Sequence, residues 1–166
     1  MFILNILVIV TSVAGCCILS LSRFPGVELL GVSPNWLLIW LIAWSVRRSI
    51  WQAILAGICI GWIYDALTIA NPSHVLGFVV VGMLTASLDK EKYLAENFVS
   101  VALLVFFMTI IAETIIAIQY SWLQIIPFNE VWRNYLRIVA CSVLITSLWT
   151  PLIYIPLNKW WKTILV

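Results

Sequence analysis

Apolar residues in this chain fall into long blocks separated by short polar, proline and glycine clusters, and no stretch alternates as a half-buried strand would. Six blocks are delimited in this way, at about residues 2–21, 34–46, 50–70, 74–88, 98–118 and 136–157. The first ends at Ser22-Arg23-Phe24-Pro25-Gly26. The second opens at Ser33-Pro34, with serine as the expected N-cap and proline at the first helical position. Its thirteen residues, PNWLLIWLIAWSV, reach only to Arg47-Arg48. At 1.5 Å per residue they cover about 20 Å of a ~30 Å hydrocarbon core, so this segment needs snorkelling arginines, local thinning or protein neighbours at its ends. The third block stops at Asn71-Pro72-Ser73, and the fourth is closed by Asp89-Lys90-Glu91-Lys92. Gln119 to Tyr135 mixes Trp122, Phe128 and Trp132 with polar residues and reads as interfacial. Pro151 and Pro156 are expected to bend or end the sixth block.

Composition changes the solvent rather than the pattern. Apolar residues make up 64% of the 166 and charged ones 10%, far below the roughly 25% of a soluble domain, so the medium implied is a bilayer. The expectation is a single all-α integral membrane domain, a bundle of six transmembrane helices with no extramembrane domain. The net charge of +2 speaks against nucleic acid. The first block lacks a basic leading region and a small-residue cleavage site, so it is read as a retained helix. Cys16, Cys17, Cys59 and Cys141 lie inside apolar runs without metal-ligand spacing and read as small buried hydrophobes.

Charge then orients the bundle. Arg47, Arg48, Lys90, Lys92, Lys159 and Lys162 fall in connections on one side, and Arg23, Arg133 and Arg137 on the other, which predicts cytoplasmic N- and C-termini with the first six as topology anchors. No internal repeat is visible, so an inverted-repeat transporter is not supported.

Candidate chemistry is sparse. Ala53, Gly57, Gly61 and Asp65 recur at four-residue spacing, a small-residue stripe leading to a carboxylate. Such a stripe serves either internal helix packing or a partner helix. Asp65 and Glu113 are ionisable groups within apolar segments, costing about 2.5–3.5 kcal/mol each near a bilayer centre unless they are partnered. Their depths match if both segments run outward, and His74 and Arg137 enter from that same side. Asp65, Glu113, Arg137 and His74 are therefore expected to form an intramembrane polar cluster, either an ion pair fixing helix register or a site for a ligand or ion. A lone histidine with no nucleophile beside a base predicts no enzyme, and nothing calls for a cofactor or metal.

The run SPNWLLIWLIAWSVRRSIWQAILAGICIGWIYDALTIANPSHVLGF resembles the rod shape-determining protein MreD family. The features that carry the likeness are Pro34-Asn35 opening a short apolar helix, Arg47-Arg48 at the turn, and Gly61-Trp62-Ile63-Tyr64-Asp65 followed by Pro72 and Gly77. The resemblance implies a non-enzymatic, multi-pass protein of the bacterial inner membrane that serves cell shape and lateral peptidoglycan elongation. Its implied partner is an MreC-type single-span periplasmic protein, near MreB and the cell-wall synthases, with homo-oligomers also open. The family also looks similar in architecture to substrate-binding subunits of energy-coupling-factor vitamin transporters, which supplies an alternative function.

Overall fold

In the computed structural model the described residues are 2–22, 28–68, 72–88, 98–123 and 127–164, and they fold into helices. These are α1 (Phe2–Leu21), α2 (Trp36–Ser45), α3 (Ile50–Thr68), α4 (Val75–Ser87), α5 (Phe98–Trp122) and α6 (Phe128–Ile164). Four of them, α1, α3, α5 and α6, are long and apolar enough to cross a membrane, while α2 and α4 are shorter apolar helices.

The centre of the molecule is its shortest helix. α2 touches all the other helices, and Leu37, Leu38, Ile39, Leu41 and Ile42 are wholly buried, as is Ser45. A helix apolar on every side is stable only when surrounded, and α2 is surrounded by protein rather than lipid. Ten residues rise about 15 Å, so the expected shortfall is real, and neighbouring helices make it up. Lipid tails are as apolar as leucine, so cohesion around α2 comes from close packing and dispersion more than from exclusion of water.

The start of α2 lies two residues beyond the expected one. Asn35 is the cap, accepting a 3.0 Å hydrogen bond from the Leu38 amide, and the Asn35 amide donates to Thr146 Oγ1 on α6 at 3.2 Å. Both polar groups are buried, and both are met inside the protein, as a lipid setting demands. Ahead of it, Leu29 and Val32 exchange backbone hydrogen bonds of 2.9 and 3.0 Å around Leu30 and Gly31, whose φ values are +52° and +82°. A two-residue turn with positive φ at both central positions is a type I′ hairpin turn, and glycine supplies its second position without strain.

Two helical hairpins, α3 with α4 and α5 with α6, form most of the remaining interface and meet along α4 and α5. The first is drawn together by glycine. A Cβ placed on Gly57 would stand 2.8 Å from Phe78 O, one on Gly61 2.7 Å from Val75 Cα, and one on Gly82 2.8 Å from Ala53 O. The Ala53-Gly57-Gly61 stripe is thus filled from within the chain by α4, and the reading of that face as a free surface for a partner helix is corrected.

Within the segment read as interfacial, α5 continues to Trp122 and α6 begins at Phe128. Two further expectations change. α6 also runs through Pro151 and Pro156 to Ile164, where the prolines were expected to bend or end it. Pro151 leaves the Ser147 carbonyl without its usual amide, a loss that transmembrane helices tolerate when packed neighbours fix the backbone. Cys16 and Cys141 are buried as expected, but Cys59 is exposed on α3, where an apolar position faces outward at no cost in lipid.

Candidate functional site

The C-terminal part of α3 and the start of α4 hold a polar centre. Asp65 Oδ2 accepts a hydrogen bond from Ser73 Oγ at 2.5 Å, and Oδ1 accepts two from His74, from its backbone amide at 2.8 Å and from Nδ1 at 2.8 Å. A carboxylate only accepts, so Nδ1 carries the proton in this contact. Ser73 Oγ in turn accepts from the Val75 amide at 3.2 Å. Asp65 therefore caps α4 from the preceding helix, and its negative charge sits at the positive end of the α4 dipole. This explains why an acid follows the glycine stripe: the glycines bring α3 against α4, and the carboxylate fixes their register.

An aromatic wall backs this centre. The Tyr64 and His74 rings meet edge to face at 4.7 Å between centroids, and Phe78 lies 5.4 Å from Tyr64 and 6.4 Å from His74. A Cβ on Gly77 would stand 3.3 Å from Ala112 O, so the first turn of α4 rests on α5 immediately before Glu113.

Glu113 itself turns toward α6, where Ser142 Oγ donates to its Oε1 at 2.9 Å. One residue on, Thr114 Oγ1 and the Tyr135 hydroxyl are 2.6 Å apart. Beside these contacts a crevice of about 170 Å³ opens between α5 and α6, lined by Glu113, Tyr120, Asn134 and Tyr135 among apolar side chains.

The four expected cluster members thus separate. Asp65 and His74 are bonded, Glu113 belongs to a neighbouring centre with Ser142, and Arg137 stands exposed on α6 with no ion pair among the described residues. Arg137 leaves the cluster because the face that α6 turns to α5 is set by Tyr135 and Ser142, and a guanidinium gains more from solvent or headgroups than from burial.

Ser73, Tyr64, Ser142 and the Thr114–Tyr135 pair were missed in the sequence. Ser73 was visible only as a turn residue, and nothing marked Ser142 as the partner of Glu113. The Ser73, Asp65 and His74 trio is not a hydrolytic triad, because the serine donates to the carboxylate rather than to the imidazole. Among the described residues, no three His, Cys, Asp or Glu side chains group together as metal ligands would.

At the opposite end of α2, Arg47 Nη2 donates to Asn158 Oδ1 on α6 at 2.5 Å, and the Arg48 guanidinium lies 5.2 Å from the centre of the Trp44 ring. The anchors Arg47, Arg48 and Lys159 share this end of the bundle. Lys90 and Lys92 lie outside the described residues, as does the Lys162 side chain.

An all-helical bundle of apolar segments, its few polar side chains capping and tying helices to one another, defines a multi-pass membrane protein. The chain matches the family model for rod shape-determining protein MreD over residues 1–155 and belongs to that family. Its role accordingly lies in rod-shape determination. Searches of curated proteins and of solved structures return no match.

Proposed function

We propose that this chain is a non-enzymatic scaffold of the bacterial inner membrane that positions or regulates lateral peptidoglycan elongation together with an MreC-type single-span periplasmic protein, near MreB and the wall synthases. The family match over residues 1–155 carries the reading. The bonding pattern is in keeping with it. Asp65 and Glu113 accept hydrogen bonds from residues outside their own helices, and the backbone amide of Asn35 ties the start of α2 to Thr146 on α6, which is what a rigid platform needs. In this reading the chain crosses six times with both termini cytoplasmic. Short α2 is enclosed by the other helices of the bundle, and the Arg47, Arg48 and Lys159 end faces the cytoplasm.

The transporter-subunit alternative was motivated by four polar residues converging on one outward pocket. Arg137 stands apart from the carboxylates and no specific observation favours that alternative.

The test is to tag the protein in its native host, extract it in mild detergent and identify co-purifying proteins by mass spectrometry. Recovery of a single-span periplasmic protein with wall-synthesis enzymes is expected. Recovery of a membrane coupling subunit with ATPases would overturn the proposal in favour of a transporter. Reporter fusions at each terminus test the orientation, and a periplasmic signal from either would reverse it.

A further inference from the structure

We propose that the groove between α1 and α6 is a binding site for an anionic membrane phospholipid, with one acyl chain lying along Gly15 and Trp40 and the phosphate held by Arg47. α1 rests on α2 and, more lightly, on α3, and leaves a groove of about 440 Å³ on its α6 side. Ser12 and Gly15 form one wall, Trp40 of α2 the floor, and Leu152, Pro156 and Trp160 the other wall.

Gly15 is the first observation. Gly57, Gly61, Gly77 and Gly82 each lie so close to another helix that a Cβ would meet its backbone at 3.3 Å or less, whereas a Cβ on Gly15 would meet nothing within 4 Å. The chain keeps a small residue at this point of α1 without using the space itself.

The chemistry of the groove selects the occupant. Ser12 Oγ donates to the Ile9 carbonyl and accepts from Trp40 Nε1 at 2.8 Å, and Thr11 Oγ1 donates to the Leu7 carbonyl, so the hydroxyls beside the groove are already satisfied. What remains is an apolar slot. A helix is about 10 Å across with its side chains and would cover such a slot rather than enter it, whereas an acyl chain fits inside.

Charge complementarity names the headgroup. Arg47 follows the C-terminal end of α2, beyond the groove's own lining, and reaches α6 at Asn158, between the groove residues Leu157 and Trp160. Its guanidinium is half-buried and, among the described residues, has no carboxylate within 4 Å. One nitrogen is engaged by Asn158, and the remaining donors form the planar fork that suits a phosphate. Trp160 sits at this same end, where an indole prefers the headgroup level.

The experiment uses the full chain purified in mild detergent, with phosphatidylglycerol or phosphatidylcholine added at equal concentration and adducts counted by native mass spectrometry. Wild type should retain phosphatidylglycerol about fivefold more than phosphatidylcholine, the ratio that one interfacial basic residue supports. Arg47→Gln should bring that ratio close to one, and Arg133→Gln, at the other end of α6, should leave it unchanged. Gly15→Phe should lose both adducts while melting, without lipid, near the wild-type temperature, which keeps the site testable if Arg47→Gln does not fold. Equal retention of the two lipids by wild type, or unchanged retention by Gly15→Phe, overturns the proposal. So does a protein partner whose crosslinks to Gly15→Cys exclude added lipid.

Discussion

Asp65 and His74 are joined twice, through the His74 amide and through its ring Nδ1, both to Oδ1 of the one carboxylate at 2.8 Å. Nine residues apart in the chain, they close α3 onto α4, and the carboxylate does at this turn what an N-cap side chain does for a single helix. Hydrogen bonds to a charged group contribute about 1.5–3 kcal/mol each, so Asp65→Ala, which loses three, should destabilise the fold by at least ~3 kcal/mol, and Ser73→Ala, which loses one, by about 1.5. Reversible unfolding in mixed micelles measures both. A loss for Asp65→Ala within ~0.5 kcal/mol, the range of an ordinary surface change, would show that the clasp does not hold the hairpin.

Glycines that look alike in sequence should respond oppositely. Gly61→Ala places a methyl 2.7 Å from Val75 Cα and must push α3 and α4 apart, an overpacking cost of about 1–3 kcal/mol. Gly15→Ala meets nothing and should be neutral, or stabilising by up to ~1 kcal/mol through helix propensity alone. Melting temperatures of the two purified variants should move in opposite directions, or Gly61→Ala alone should fall. Equal shifts would contradict the close α3–α4 approach.

Removing the Ser142 hydroxyl should cost little, because interhelical hydrogen bonds in membrane proteins average about 0.6 kcal/mol. Glu113→Gln keeps an acceptor for Ser142 and should fall within that range too. A double-mutant cycle of Glu113→Ala and Ser142→Ala is expected to give a coupling of about 0.5–1.5 kcal/mol. Strict additivity would mean that the 2.9 Å contact does not persist in lipid.

The centre of the bundle should be its least tolerant part. Leu41→Ala in wholly buried α2 should cost about 2–5 kcal/mol, whereas Leu148→Ala on lipid-exposed α6 should cost under ~1. Asn35→Ala removes the cap and should cost about 1 kcal/mol. Folded yield and thermal melting of the three variants rank them, and a Leu148 variant worse than the Leu41 one would place the core elsewhere.

The sequence by itself determined the medium, the helices and their punctuation. Apolar runs too long and too poor in charge for water pointed to helices of a membrane bundle, and Ser22, Arg47-Arg48 and Pro72-Ser73 marked breaks between them. The second segment was legibly too short to stand alone, and the spacing of Gly57, Gly61 and Asp65 was legibly a close-packing face ending in an acid. Which helix lies at the centre was not legible. In lipid the outward face of a helix is as apolar as the inward one, so the amphipathic signal that marks a buried face in water is erased. For the same reason the occupant of the glycine stripe, α4 rather than a partner, was decided only when α3 and α4 packed. The polar pairs were decided there too. Depth can be counted along a chain, but whether Glu113 meets Ser142 or Arg137 depends on the rotational phase of two helices about their axes, and packing alone sets that phase.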